Sequence, residues 1–191
     1  MKKNLLISVW FTLATTVLLG IIYPLAVTGL AQMLFPKQAN GELITQGGKL
    51  VGSHLIGQPF TAPGYFYSRP SAAGAAGYDP TASGGSNLGP TNKVLIDRVS
   101  ASVKALQPTN PAVPIPADLV TTSGSGLDPH ISPAAAEFQV PRVAHERGMS
   151  EQDIRALVQK HTEGRQFGLL GEPRVNVLDL NLDLDAIRPM H

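Results

Sequence analysis

The chain has 191 residues, with Lys+Arg 15 against Asp+Glu 14, a net charge of +1 and no cysteine. Without a basic surplus a nucleic-acid binder is excluded. Without cysteine, disulfide frameworks, zinc–thiolate sites, thiol nucleophiles and a lipidated N-terminal Cys are excluded together.

Asn4 to Pro36 is a run of 33 residues with no charged side chain. A helix rises about 1.5 Å per residue, so about 20 apolar residues cross a bilayer. Leu5 to Ile22 nearly suffice, and extension to Phe35 allows a tilted span. Pro24 lacks an N–H and predicts a kink near Tyr23-Pro24. Gly20, Pro24, Thr28 and Gly29 are the candidates for packing against neighbouring membrane helices. Lys2 and Lys3 precede the run and Lys37 closes it, so the N-terminus is expected in the cytoplasm and the rest outside. A cleaved signal peptide is the competing reading, but its apolar region spans only roughly 7–15 residues. The division expected is 1–36 cytoplasmic N-terminus and transmembrane helix, 37–48 linker, and 49–191 an extracytoplasmic domain.

All 14 acidic residues follow the anchor. Residues 49–56 read as a strand interrupted by Gly52, and Tyr65–Ser68 as a second short strand. Residues 71–90, rich in Gly, Ala and Ser, read as a long loop. Thr91 to Gln107 reads as a helix capped by Thr91 or Asn92, with Val94, Leu95, Val99, Val103 and Leu106 at helical spacing. Asp118–Ser123 reads as a strand, followed by a turn at 124–129. Ser132-Pro133 opens a helix through Ala136, and Pro141 predicts a break or a fresh start, with the segment ending at Gly148. Ser150 caps a helix to about Thr162 with Ile154, Leu157 and Val158 inward. Strict alternation from Leu178 to Leu184 predicts a half-buried strand, with Asp179, Asn181, Asp183 and Asp185 on its outer face. The fold class is therefore a single N-terminal transmembrane helix plus a small α/β (α+β) extracytoplasmic domain with long loops.

Gly84-Gly85-Ser86-Asn87-Leu88-Gly89-Pro90-Thr91 has the frame of a phosphate-binding loop. Pro90 stands where that loop needs Lys, and it deletes an N–H from the cradle. Ser86 and Asn87 are thus weak nucleotide candidates. A loop that docks on a protein partner, through Ser83, Gly84, Gly85, Ser86 and Asn87, competes with a purely structural turn. Ser123 and His130 lack the strand–turn–helix elbow of a hydrolase. His54, His130, His145, His161 and His191 show no ligand spacing. Arg69 and Arg142 are the cations of interest, the latter as a clamp for a carboxylate or carbonyl beside Gln139. No catalytic residue and no metal site is assigned.

Several blocks together carry a family resemblance. They are Gly57–Phe60, Tyr65–Ser71, Ser83–Asn92, Ser123–Pro133, Gln139–Ala144 and Gly171–Asn181, in order behind the apolar anchor. The chain resembles the KdpC family, the C subunits of bacterial high-affinity potassium-transporting Kdp ATPases. The resemblance implies an accessory, non-catalytic part in ATP-driven potassium uptake at the bacterial inner membrane. It implies as partners the channel-like KdpA, the P-type ATPase KdpB and the small peptide KdpF. It also implies a catalytic chaperone that raises the ATP affinity of the pump subunit, with no tightly bound cofactor, ATP met through the complex and potassium as the transported ion. The expected docking residues are Arg69, Ser83, Gly84, Gly85, Ser86, Asn87, Ser125 and Asp128, in loops 68–92 and 123–133, and Arg142 beyond them. The alternative is a membrane-tethered ligand-binding or enzymatic domain, which requires a convergent polar pocket.

Overall fold

The computed structural model describes residues 2–190, and the chain divides into two compact units at Val51/Gly52. In the first unit, α1 (Lys2–Val17) and α2 (Tyr23–Leu34) form one continuous 33-residue helix, long and apolar enough to cross a membrane. Its length is about 50 Å, against about 30 Å of hydrocarbon. None of its residues is buried by the rest of the chain. The two segments join through a π-helical turn, Leu18–Ile22, where the Tyr23 N–H reaches back to the Leu18 carbonyl. Pro24 explains that turn. Its ring crowds the carbonyl four residues back, at Gly20, and the wider turn makes room. The helix thus answers Pro24 with one loosened turn. Two of its hydroxyls fold back on the helix: Ser8 donates to the Leu5 carbonyl at 2.9 Å and Thr15 to that of Phe11 at 2.8 Å.

The stretch read as a linker is partly folded. A single turn, α3 (Pro36–Ala39), precedes β1 (Leu43–Gln46), which pairs with β2 (Lys49–Ser53). Gly47 and Gly48 join them with φ of +59° and +79°, the left-handed pair that a two-residue hairpin turn demands.

The second unit is built around three short antiparallel strands in the order β3 (His130–Ile131), β5 (Arg174–Asn176), β4 (Thr162–Glu163). His130 faces Asn176, and both Ile131 and Thr162 face Val175. Against this sheet pack α5 (Pro133–Arg147) and α7 (Val177–Ile187), and α6 (Glu151–Lys160) packs on both helices. Their inward side chains, with Phe66, Leu119, Ile131 and Val175, make the core. Ser132 and Ser150 cap α5 and α6 as expected, accepting from Ala135 N and Asp153 N. Ile154, Leu157 and Val158 are buried as expected. The helix read at 91–107 is α4 (Lys93–Leu106), capped by Asn92. None of its residues is fully buried, and Val94 lies on the exposed side.

Four expectations need correction. First, α5 does not break at Pro141. Phe138, Gln139, Val140, Val143 and Ala144 on both sides are buried, and that packing outweighs the roughly 3 kcal/mol a mid-helix proline costs. Second, Asp118–Ser123 is no strand. Residues 117–119 form a 3-10 turn, and Asp118 instead accepts the Ser132 N–H at 2.7 Å.

Third, the alternating run 178–184 is helix α7. Asn176 ends β5 and caps the helix, accepting from Leu178 N and Asp179 N. The buried set Val177, Leu178, Leu180, Asn181 and Leu184 then recurs at helical intervals. Leucines at every second position are compatible with both periods, and the cap decides between them.

Fourth, Tyr65–Ser68 belongs to no sheet. The main chain of Phe66 donates to Asn181 Oδ1 at 2.9 Å and accepts from Asn181 Nδ2 at 3.0 Å. The next residue, Tyr67, does the same with Gln139, at 2.7 Å and 3.2 Å. Two side-chain amides, one from α5 and one from α7, thus take the place of a neighbouring strand.

Candidate docking face

The two Gly-rich loops singled out in the sequence meet. Gly84 N–H donates to the Ser125 carbonyl at 2.8 Å, and Ser83 Oγ donates to the same oxygen at 3.1 Å. Ser71 Oγ donates to the Gly126 carbonyl at 2.6 Å while accepting from Ala73 N and Tyr78 N. Gly126 sits at the crossing, with φ of +68°, and a Cβ there lands 2.8 Å from both Ala73 N and Gly84 O. Only glycine fits that crossing. Gly57 N–H adds a third tie, to the Leu127 carbonyl.

Arg69 closes the junction. Its guanidinium reaches Asp128 Oδ2 and the Thr122 carbonyl, both at 3.3 Å, and its own carbonyl accepts the Tyr78 hydroxyl. Asp128 Oδ1 accepts from His130 N at 3.0 Å and meets His130 Nδ1 at 3.2 Å. Burial pushes the Asp128 carboxyl up, but the His130 contacts and Arg69 outweigh it and hold the net value below the ordinary one. Burial also raises the Tyr78 phenol. A carboxylate with a depressed folded value stabilises fully above its unfolded pKa of about 3.9, and that contribution fades as pH falls through the folded value. Loop protection in hydrogen exchange is therefore expected to fall below about pH 4, and Asp128→Asn to weaken that pH dependence.

A cleft of about 510 Å³ opens at this junction, lined by Ile56, Arg69, Ser83, Gly124, Ser125 and Asp128. A second, more apolar groove of about 400 Å³ lies between Phe60, Tyr67, Tyr78, Leu106 and Leu119. Of the expected docking residues, Arg69, Ser83, Gly84, Gly85, Ser125 and Asp128 come together here. A Cβ at Gly85 meets the Gly124 carbonyl at 3.1 Å. Ser86 and Asn87 continue the same loop, and Asn87 takes φ of +51°, which Asn tolerates better than most residues. The first N–H of the phosphate-loop frame, on Gly84, is spent on Ser125.

Arg142 lies outside that cleft. Its guanidinium donates to the carbonyls of Pro63 and Tyr65 and to Gln139 Oε1, and stacks 3.8 Å from the centre of the Tyr67 ring. It clamps carbonyls of the chain's own loop. Asp179, Asp183 and Asp185 do not share a strand face. They pair from α7 with His54, with Lys160 and His161, and with Arg147. The Lys160 and His161 hydrogen bonds hold the Asp183 carboxyl below its ordinary value. Ser123 Oγ accepts the Gly126 N–H, and His130 turns to Asp128. Among the described residues no three His, Asp or Glu side chains gather as metal ligands, and His191 lies outside them.

The family model described as "KdpC: K+-transporting ATPase, c chain" matches residues 5–186. The chain belongs to the KdpC family. Curated relatives agree over full length. The "Potassium-transporting ATPase KdpC subunit" of Koribacter versatilis (strain Ellin345) is 65% identical over 190 residues, covering 100% of this chain and 98% of the relative. The protein of that name in Rhodopseudomonas palustris (strain BisB18) is 56% identical over 199 residues, covering 98% and 100%. That of Methylococcus capsulatus is 55% identical over 186 residues, covering 96% and 95%. As a KdpC-family chain this protein is a subunit of the potassium-transporting ATPase complex.

Sequence reasoning missed the amide pair Gln139 and Asn181 and the buried Arg147. A polar residue at a buried helical position is the only trace they leave in the sequence.

Proposed function

We propose that this subunit is non-catalytic. It holds the potassium-uptake complex together from the outer side of the membrane and raises the ATP affinity of the P-type pump subunit, KdpB. Loops 68–92 and 123–133 dock on the channel-like subunit, KdpA. The helix packs beside membrane helices through Gly20, Pro24, Thr28 and Gly29, with KdpF a further neighbour. Potassium is the cargo of the complex, and ATP is met only through KdpB.

The observation that carries this reading is the lock between the two loops. Gly84, Ser83 and Ser71 tie 71–84 to 125–126, so the face is preorganised and loses little entropy on association. The charge asymmetry around the anchor supports an outer location for this face. Coupling to the ATP site then runs through a conformational equilibrium that the subunit biases without touching nucleotide.

Two measurements test this. Protease added to sealed, right-side-out cells is expected to remove the domain beyond the anchor; protection there with cleavage in inverted vesicles contradicts the orientation. Removing the subunit from a reconstituted complex is expected to raise the ATP concentration for half-maximal hydrolysis. An unchanged value contradicts the chaperone role.

A further inference from the structure

The hairpin that joins β4 to β5 ends in an apolar tip that none of the described residues covers. Phe167 is 93% exposed, Leu169 80% and Leu170 60%. Gln166 and Leu170 pair across the stem, exchanging N–H···O bonds of 2.9 Å both ways. Leu169 N–H closes the turn on the Gln166 carbonyl at 3.1 Å. Its two central residues, Phe167 and Gly168, have φ of +53° and +75°. That pair of positive angles is the signature of a type I′ turn, whose first central position favours Asn, Asp or Gly. An aromatic residue there is an outlier. Phe167 thus carries two unfavourable features at once, a left-handed backbone and a ring in water. No contact among the described residues offsets either, and strain of this kind clusters at functional sites.

Two ion pairs flank the stem below the tip. Arg165 grips both oxygens of Glu172 at 2.7 and 2.6 Å, and Arg174 holds Glu163 Oε2 at 3.0 Å. Each charge in this collar therefore faces its opposite, and the tip presents apolar side chains with no unpaired charge beneath them.

We infer that this tip is a plug that seats in an uncharged, apolar socket on a sister subunit of the transport complex. Two observations select that occupant. Three side chains of this size bury on the order of 400 Å², about half of the ~800 Å² per partner that a stable pair needs. A second copy of this chain, held by the tip alone, is therefore too weakly bound, whereas a subunit already held by other contacts is not. The neutral collar matches an uncharged socket and argues against an anionic lipid surface, which attracts unpaired Lys and Arg. A fixed turn geometry also matches a shaped socket, since lipid imposes no shape. The inference rests on membership of the complex and is independent of the face formed by loops 68–92 and 123–133.

The test places the photocrosslinker p-benzoylphenylalanine at position 167 of the full-length chain, in the assembled complex in native membranes. An adduct with a sister-subunit polypeptide, identified by mass spectrometry, is the expected result. An adduct with lipid alone, with a second copy of this chain alone, or no adduct overturns the inference. Phe167→Asn separates docking from folding, because Asn suits the turn. The domain's Tm is expected to stay or rise, while the half-life of the detergent-solubilised complex falls at least fivefold. An unchanged half-life overturns the inference. Gly124→Arg, at the loop junction, reports the proposed loop interface separately, so either reading can fail without the other.

Discussion

Asn181→Leu is expected to destabilise the domain beyond the anchor by about 4 kcal/mol, read by urea unfolding of the full chain in detergent. The substitution is close in size and keeps a helix former in α7. It leaves the Phe66 N–H and C=O without partners, both of which now bond to the Asn181 amide at 2.9 and 3.0 Å. Phe66 and Asn181 are at most 1% exposed, so water does not replace the amide. Each orphaned buried group costs about 1–3 kcal/mol. A change below about 1 kcal/mol contradicts the role given to the amide pair in holding residues 65–68.

Arg147→Ala is expected to cost about 3–5 kcal/mol, the range for removing one partner of a buried ion pair. The Arg147 side chain is 1% exposed and sits 2.8 Å from Asp185. Its Nε also donates to the Gly64 carbonyl at 2.7 Å, and its guanidinium lies 4.7 Å from the centre of the Tyr65 ring. Asp185 keeps 32% of its side chain in water and accepts from the Tyr65 hydroxyl. Asp185→Asn is therefore expected to cost much less than Arg147→Ala, about 1 kcal/mol. Thermal unfolding of both variants checks the order, and equal losses contradict it.

Both residues act on the same irregular segment. Arg147 holds the Gly64 carbonyl, Arg142 holds those of Pro63 and Tyr65, and the two amides hold Phe66 and Tyr67. A stretch of five residues without secondary structure is thus fixed in the core by four helical side chains. Its aromatic Phe66 anchors the core, and its continuation, Arg69, reaches the loop junction. Stability and the candidate docking face are linked through this segment.

The parts legible in sequence are those set by short-range chemistry. The anchor follows from an uninterrupted apolar run. Asn92, Ser132 and Ser150 mark helix starts because a cap needs only the next two or three residues. Ser83–Asn92 and Ser123–Pro133 were recognisable as loops with structure of their own. The misreading of Tyr65–Ser68 comes from distance in the chain. Asn181 lies 115 positions from Phe66, and Gln139 lies 72 from Tyr67, so no local pattern reveals that amides stand in for a strand. Tyr65–Ser68 has the residues of a strand and the extended hydrogen bonding of one, yet no strand neighbour. The leucine alternation at 178–184 satisfies two periods, and the Asn176 cap that selects the helix lies just before the run. The hairpin tip was invisible because Phe-Gly is an uncommon pair for its turn.

The most direct measurement uses Gly124→Arg in the intact complex. Gly124 lines the cleft at the loop junction, and a Cβ there meets nothing within 4 Å, so the fold accommodates the new side chain while the face does not. Purified through a tag on the channel-like subunit, the complex is expected to lose this chain, with the variant's own Tm unchanged. Full recovery of the variant chain, at wild-type stoichiometry and with wild-type potassium-stimulated ATP hydrolysis, contradicts docking through this face.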